Sequence, residues 1–220
     1  MSSPILQLLV LAGIAVFLIL KLKNVLGTRE GFEKPVIARD PAPARIDRGN
    51  LKVIEGGPDQ DITDHVPADS EMAKALAAMK GIDPSFNVGD FLTGARGAYE
   101  MILMAFESGD LDKIKPFLSA DVYESFASVV EARRKQGLTI EAKFVGIREM
   151  KLIDAEFDPR SKEAELTMRF VAELTSVVRD KAGEIVEGNP NEVKRQKDVW
   201  TFGRVMGTDN PNWQLVATGG

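Results

Sequence analysis

The stretch Glu163-Ala164-Glu165-Leu166-Thr167-Met168-Arg169-Phe170-Val171-Ala172-Glu173-Leu174 alternates apolar and polar side chains almost without a break. Ala164, Leu166, Met168, Phe170, Ala172 and Leu174 share one phase of a two-residue period; Glu163, Glu165, Thr167, Arg169 and Glu173 share the other. A strand written this way has one face on a core and one in water, which is the pattern of an antiparallel sheet. Val177 and Val178 carry it toward a turn at Asp180–Gly183. Upstream, Ile140, Ala142 and Phe144 alternate with Glu141 and Lys143, and the apolar phase then passes to Val145 and Ile147. That shift predicts a β-bulge near Gly146. A separate strand is predicted from Met150 to Phe157, closed by a turn at Asp158-Pro159-Arg160-Ser161. Downstream, Lys194–Val205 reads as a strand with Trp200 and Phe202 on one side. The Gly207–Asn212 loop leads into a last strand through Trp213, Leu215 and Ala217.

Ahead of these strands the period is helical. Asp90 is the expected N-cap of a helix carrying Phe91, Ala95, Ala98, Ile102 and Phe106, which Gly109 stops. Asp110 is expected to cap a short second helix limited by Pro116. Ser119 caps a third, with Val122, Phe126, Val129, Val130 and Arg133 along it and Gly137 at its end. Helices first and strands afterwards mean α+β: three helices packed on one face of a long, curved antiparallel sheet. A shorter helix precedes them, Glu71 to Lys80, capped by Ser70 and ended by Gly81, with Met72, Leu76 and Met79 in a stripe. A helix this short is marginal alone. Its stripe either docks on its own domain or belongs to a movable segment that covers or presents a binding surface.

The amino-terminal part has a different character. From Ile5 to Leu22 the only polar side chains are Gln7 and Lys21. Eighteen helical residues span roughly 27 Å, the hydrocarbon thickness of a bilayer. A cleaved signal peptide would carry basic residues before the run and a small-x-small site after it. Met1-Ser2-Ser3-Pro4 has no basic side chain, and Lys21-Leu22-Lys23-Asn24-Val25-Leu26 offers no such site. Residues 1–27 are therefore expected to be an uncleaved transmembrane anchor. Lys21, Lys23 and Arg29 follow the run and nothing basic precedes it, which places the N-terminus outside and the carboxy-terminal domain in the cytoplasm. Residues 28–69 hold Pro35, Pro41, Pro43, Pro58 and Pro67 with no sustained period, and are expected to form a flexible tether spanning roughly 35 Å on average.

Of the 220 residues, 44% are apolar and none is cysteine, which excludes disulfides, thiolate nucleophiles and Cys-ligated metals. A single histidine, His65 in the expected tether, excludes a multi-His metal site. Residues 70–220 carry twenty basic against twenty-four acidic side chains, a balance that disfavours nucleic acid. No phosphate loop, nucleophile elbow or metal-ligand cluster occurs, and no cofactor is implied. The candidate acids and bases Tyr99, Tyr123, Asp154 and Asp158 are paired by no spacing. Tyr99, Phe144, Met168, Phe170, Trp200 and Phe202 either line an apolar pocket for an acyl chain or a partner's side chain, or fill the core. The basic residues Lys21, Lys23, Arg133, Arg134 and Lys135 either contact anionic lipid or form solvated faces, as do Lys194, Arg195 and Lys197.

The element order is similar to the cone-shaped nuclear-transport-factor-two-like superfamily. Phe91-Leu92, Gly94-Ala95-Arg96, Ala98-Tyr99, Ala105-Phe106 and Gly109-Asp110 carry a narrower likeness, continued by Leu118-Ser119, Val122-Tyr123, Phe126, Arg133 and Gly137. Together they resemble the mitochondrial import inner membrane translocase subunit 44 family and its bacterial relatives over residues 70–220. The layout of an apolar helix, Leu26-Gly27-x-Arg29 and a proline-rich tether is similar to alphaproteobacterial members. The resemblance implies a short docking helix at 70–81 and a cone at 88–220. It also implies an adaptor at the bacterial inner membrane that is not an enzyme and binds a protein partner, such as a DnaK-type chaperone or translocation machinery. A small-molecule or lipid-binding cone is the alternative, with an isomerase or dehydratase the remotest reading.

Overall fold

The computed structural model describes residues 59–219. The expected anchor and the tether up to residue 58 lie outside the described residues. Among the described residues no helix is long and apolar enough to cross a membrane.

The elements, in chain order, are α1 (Gln60–Thr63), α2 (Glu71–Ile82), α3 (Val88–Ser108), a 3-10 turn (Lys115–Phe117), α4 (Ala120–Gln136), β1 (Thr139–Phe157), β2 (Glu163–Arg179), β3 (Ile185–Gly188), β4 (Lys194–Val205) and β5 (Gln214–Gly219). The sheet runs β1-β2-β4-β5, every neighbour antiparallel, with β3 pairing the far end of β2. The α+β expectation holds. The cleanest part of the sequence pattern becomes the centre of the sheet, where β2 pairs β1 on one side and β4 on the other from Ala164 to Leu174.

Several local expectations change. The cap of α3 is Asn87, whose side-chain oxygen accepts the Asp90 N–H at 2.9 Å. Asp90 sits inside the first turn, where its charge favours the positive end of the helix. The expected second helix is only a single turn from Leu111, closed by the Ile114 and Lys115 N–H groups, followed by the 3-10 turn with Pro116 inside it; Leu111 and Ile114 are both buried. α2 passes through Gly81 to Ile82, since a Cβ there would meet nothing and no left-handed turn is required. The two strands expected between Ile140 and Phe157 are one continuous strand. Register shifts after Phe144, Ile147 and Leu152 absorb the changes of apolar phase and let β1 curve without breaking. The first of these is the bulge anticipated beside Gly146. β3 has no period-2 signal and goes unread in the sequence.

The core lies between the helices and the concave face of the sheet. Leu166, Met168, Phe170, Ile102, Tyr99 and Leu76 are fully buried. Leu76 and Met79 put the stripe of α2 into this same cluster, against β1, so this helix docks on its own domain. Residues 59–69, read as tether from sequence, also differ from expectation. Asp59 caps α1, and Ile62 and Val66, four residues apart, are both buried. Two aliphatic side chains are too few to register as a period, yet they are enough to seat one turn of chain against α2 and α3.

Candidate functional site

Tyr99 stands at the centre of the core. Its ring stacks on Phe170 with centroids 4.2 Å apart, and Trp200 lies 4.6 Å and Phe144 6.3 Å away. Phe202 follows, 6.3 Å from Trp200. Five of the six residues expected as pocket lining are thus joined in one chain of ring contacts, and the fully buried Met168 belongs to the same cluster. The Tyr99 hydroxyl donates to Asp198 Oδ2 at 2.5 Å, and Gln196 Nε2 donates to Asp198 Oδ1 at 3.2 Å. Burial, reinforced by the Asp198 carboxylate, pushes the phenol far above its ordinary value. Burial also pushes the Asp198 carboxyl up, against the opposing pull of the Tyr99 and Gln196 hydrogen bonds.

Asp198 was not among the candidate acids read from the sequence. Its signal was present: it lies in phase with Trp200 and Phe202, so β4 turns a carboxylate toward the core. Glu107 has the same history. It follows Tyr99 and Leu103 at four-residue steps and lies half-buried in the last turn of α3. Burial raises its carboxyl; Arg133 opposes this and Asp198 adds to it. Arg133 lies 4.5 Å over the Phe106 ring and donates to the Phe106 carbonyl at 3.3 Å. Its role is thereby packing between α3 and α4. Arg134 and Lys135 stay exposed, the latter paired with Glu131 at 2.7 Å. Lys21 and Lys23 lie outside the described residues.

Beside this polar cluster a cleft of about 290 Å³ opens between the end of α3 and the sheet, lined by Glu107, Leu174, Ser176, Lys194, Arg195 and Gln196. It sits where the partner of β2 changes from β4 at Leu174 to β3 at Val177. A second cleft of about 460 Å³ lies between α2 and the β1–β2 turn, over Ala75, Ala155 and Phe157, with Glu71, Glu156 and Glu163 at its rim. None of the six expected lining residues borders either cleft. Tyr123 packs at the core boundary with Lys115 5.1 Å from its ring, and the Asp158 carboxylate is used by the Arg160 N–H and the Ser161 hydroxyl. Asp154 accepts the N–H of Ala155. Among the described residues no group of three or more metal-ligating side chains converges. The Tyr99–Asp198 pair could in principle move a proton. Its phenol is fully buried, with the Phe170 and Trp200 rings packed against it, while Asp198 is half-buried. What the arrangement does is fasten α3 to β4.

The curated relatives are mitochondrial import inner membrane translocase subunits. The human TIM44 is 29% identical over 150 residues, which is 67% of this chain and 33% of that protein. The Arabidopsis thaliana TIM44-1 is 24% identical over 162 residues, 71% of this chain and 34% of that protein. A probable Caenorhabditis elegans subunit, tin-44, is 22% identical over 67% of this chain and 35% of its own length. The chain therefore spans about a third of the length of these relatives. A solved structure of the intermembrane space region of the chloroplast protein ARC6 aligns over 58% of this chain and 94% of its own. At 9% identity and a TM-score of 0.39 it carries no argument. The family model described as the Tim44-like domain matches residues 72–220, from the second residue of α2 to the last of the chain. Helices α3 and α4, all but the first residue of α2, the sheet and the buried polar pair fall within that match, and the chain belongs to the Tim44-like domain family.

Proposed function

We propose that this protein is a membrane-anchored adaptor whose Tim44-like domain binds a protein partner at the cytoplasmic face of the inner membrane. The family match over residues 72–220 is the observation that carries this reading. The relatives' names, subunits of an inner membrane import translocase, support a partner drawn from translocation machinery; a DnaK-type chaperone is the partner that the family resemblance implies. The apolar run Ile5–Leu22 supports a single span with the N-terminus outside. Lys21 and Lys23 would meet the headgroups at its end, and the exposed Arg134 and Lys135 would add about 1 kcal/mol each near an anionic surface. That the core's polar groups serve packing supports a holding role over a catalytic one.

In vivo crosslinking from the exposed faces of α4 and β1, with identification of the captured proteins, tests the adaptor. A membrane-complex subunit or chaperone should be recovered. Turnover of a small molecule with no protein captured would refute it. Deleting residues 1–27 should release the protein to the soluble fraction, and liposome flotation with and without cardiolipin then separates lipid contact from partner contact. The cleft at Glu107, Ser176 and Lys194 supports a second reading, a small-molecule or lipid-binding cone. Native mass spectrometry of the purified protein would reveal such a bound molecule.

A further inference from the structure

Residues 59–66 meet the domain in the manner of a bound peptide. The Asp61 carboxylate accepts the Val88 N–H at 2.8 Å on one oxygen and the Gly89 N–H at 3.1 Å on the other, filling the free donors at the start of α3. The Lys80 ammonium, at the end of α2, closes over it with contacts of 2.6 Å to Asp61 and 2.7 Å to Asp59. Behind the carboxylate, Ile62 and Val66 are each 4% exposed and join the buried cluster that holds Leu76, Met79 and Val88. The recognition elements are thus one carboxylate read by two backbone N–H groups and a lysine, and two aliphatic side chains four residues apart. The strap lies in the same compact unit as the helices and sheet, but ahead of residue 72, where the family match begins. A groove built by residues of the match is filled here by chain that precedes it.

We propose that residues 59–66 are a displaceable cis ligand, and that the groove between the end of α2 and the start of α3 is a peptide-docking site. It takes a partner segment of the form Asp-Ile-x-x-x-Val when the strap lifts. The short connection Pro67–Ser70 keeps the strap at a millimolar effective concentration, so a partner peptide at micromolar concentration cannot compete until the strap is weakened. Tension on the preceding chain, or a partner that grips the strap, would open the site. The docking chemistry stands apart from the adaptor reading: crosslinking tests the partner in the cell, whereas the groove is tested by peptide binding alone.

The probe is a fluorescein-labelled peptide of residues 58–68, titrated into the full-length protein and into a full-length Ile62→Ser, Val66→Ser variant. The variant should bind it at least about tenfold more tightly than the unaltered protein does. The same peptide carrying Asp61→Ala should lose most of that gain. Equal binding to both proteins, or no binding to the variant, would overturn the proposal. A variant that no longer folds would do the same, because the strap would then be integral to the core. Hydrogen exchange on the unaltered protein gives a second reading. The Val88 and Gly89 amides should exchange at least about a hundredfold faster than those of Met168 and Phe170, through opening of the strap alone. Equal protection at the two places would refute a displaceable strap.

Discussion

Replacing Tyr99 by Phe removes one oxygen from the centre of the domain and leaves the stacked ring on Phe170 in place. Asp198 then keeps only the Gln196 donor for a carboxylate that burial already holds above its ordinary range. A buried acceptor deprived of a partner costs about 1–3 kcal/mol, and the upper half applies here because the acceptor is charged. The pH dependence has a definite sign. Asp198 binds its proton more tightly folded than unfolded, so its contribution to stability falls as pH rises from the ordinary carboxylate range through its raised folded pKa. Losing the Tyr99 hydrogen bond raises that folded pKa further. The cost of Tyr99→Phe should therefore be largest near neutral pH and shrink toward acid pH, where Asp198 is neutral in both proteins. Urea unfolding of both proteins at several pH values measures this directly. A loss below about 0.5 kcal/mol at neutral pH, or one that grows toward acid, would refute the account of this pair. Tyr99→Phe combined with Asp198→Val should recover much of the loss, since it leaves no orphaned charge.

Further consequences can be measured on the same protein. Arg204→Ala should cost about 1–3 kcal/mol in urea unfolding, because the Asp83 carboxylate 2.7 Å away would be left facing only Ser85. Asp61→Ala should cost about 1 kcal/mol as a lost helix-end acceptor. The Lys80 ion pair and the Val88 and Gly89 N–H groups outweigh burial and hold the Asp61 carboxyl below its usual range. Its stabilisation is therefore present at neutral pH and lost as pH falls through that lowered pKa, a loss that the Asp61→Ala variant should not show. Gly188→Ala should destabilise by at least about 1 kcal/mol and free β3 for hydrogen exchange. The residue has φ 86°, and a Cβ there would lie 2.2 Å from the Ser176 carbonyl oxygen.

Legibility followed the density of the apolar pattern. β2 and β4 were readable because each sets enough alternating residues on one face to outweigh any local exception, and the bounds of β4 came out as Lys194–Val205. β1 read as two strands because a bulge shifts the apolar phase exactly as a break would. The period cannot distinguish a chain that bends from one that stops. The cap at Asn87 was missed because Asp90 satisfies the same compositional rule three residues later, and only geometry says which oxygen reaches the free N–H groups. The polar cluster was half legible. Tyr99 stood out, but its partner Asp198 is 99 residues away on another element, and pairing at that distance leaves no local trace. The strap was invisible for a simpler reason: Ile62 and Val66 are isolated among prolines and acids, and their burial depends on a groove built by α2 and α3.

The separation of Tyr99 from Asp198 also governs how the protein is made. At about 5–20 residues per second, the ribosome delivers β4 roughly 5–20 s after the middle of α3. During that interval Phe91 and Tyr99, and soon Ile102, have been translated, while the β4 face that will cover them, with Trp200 and Phe202, has not. No amino-terminal fragment can complete this core, and the nascent helices must remain soluble on their own or be sheltered until the last third of the message has been read.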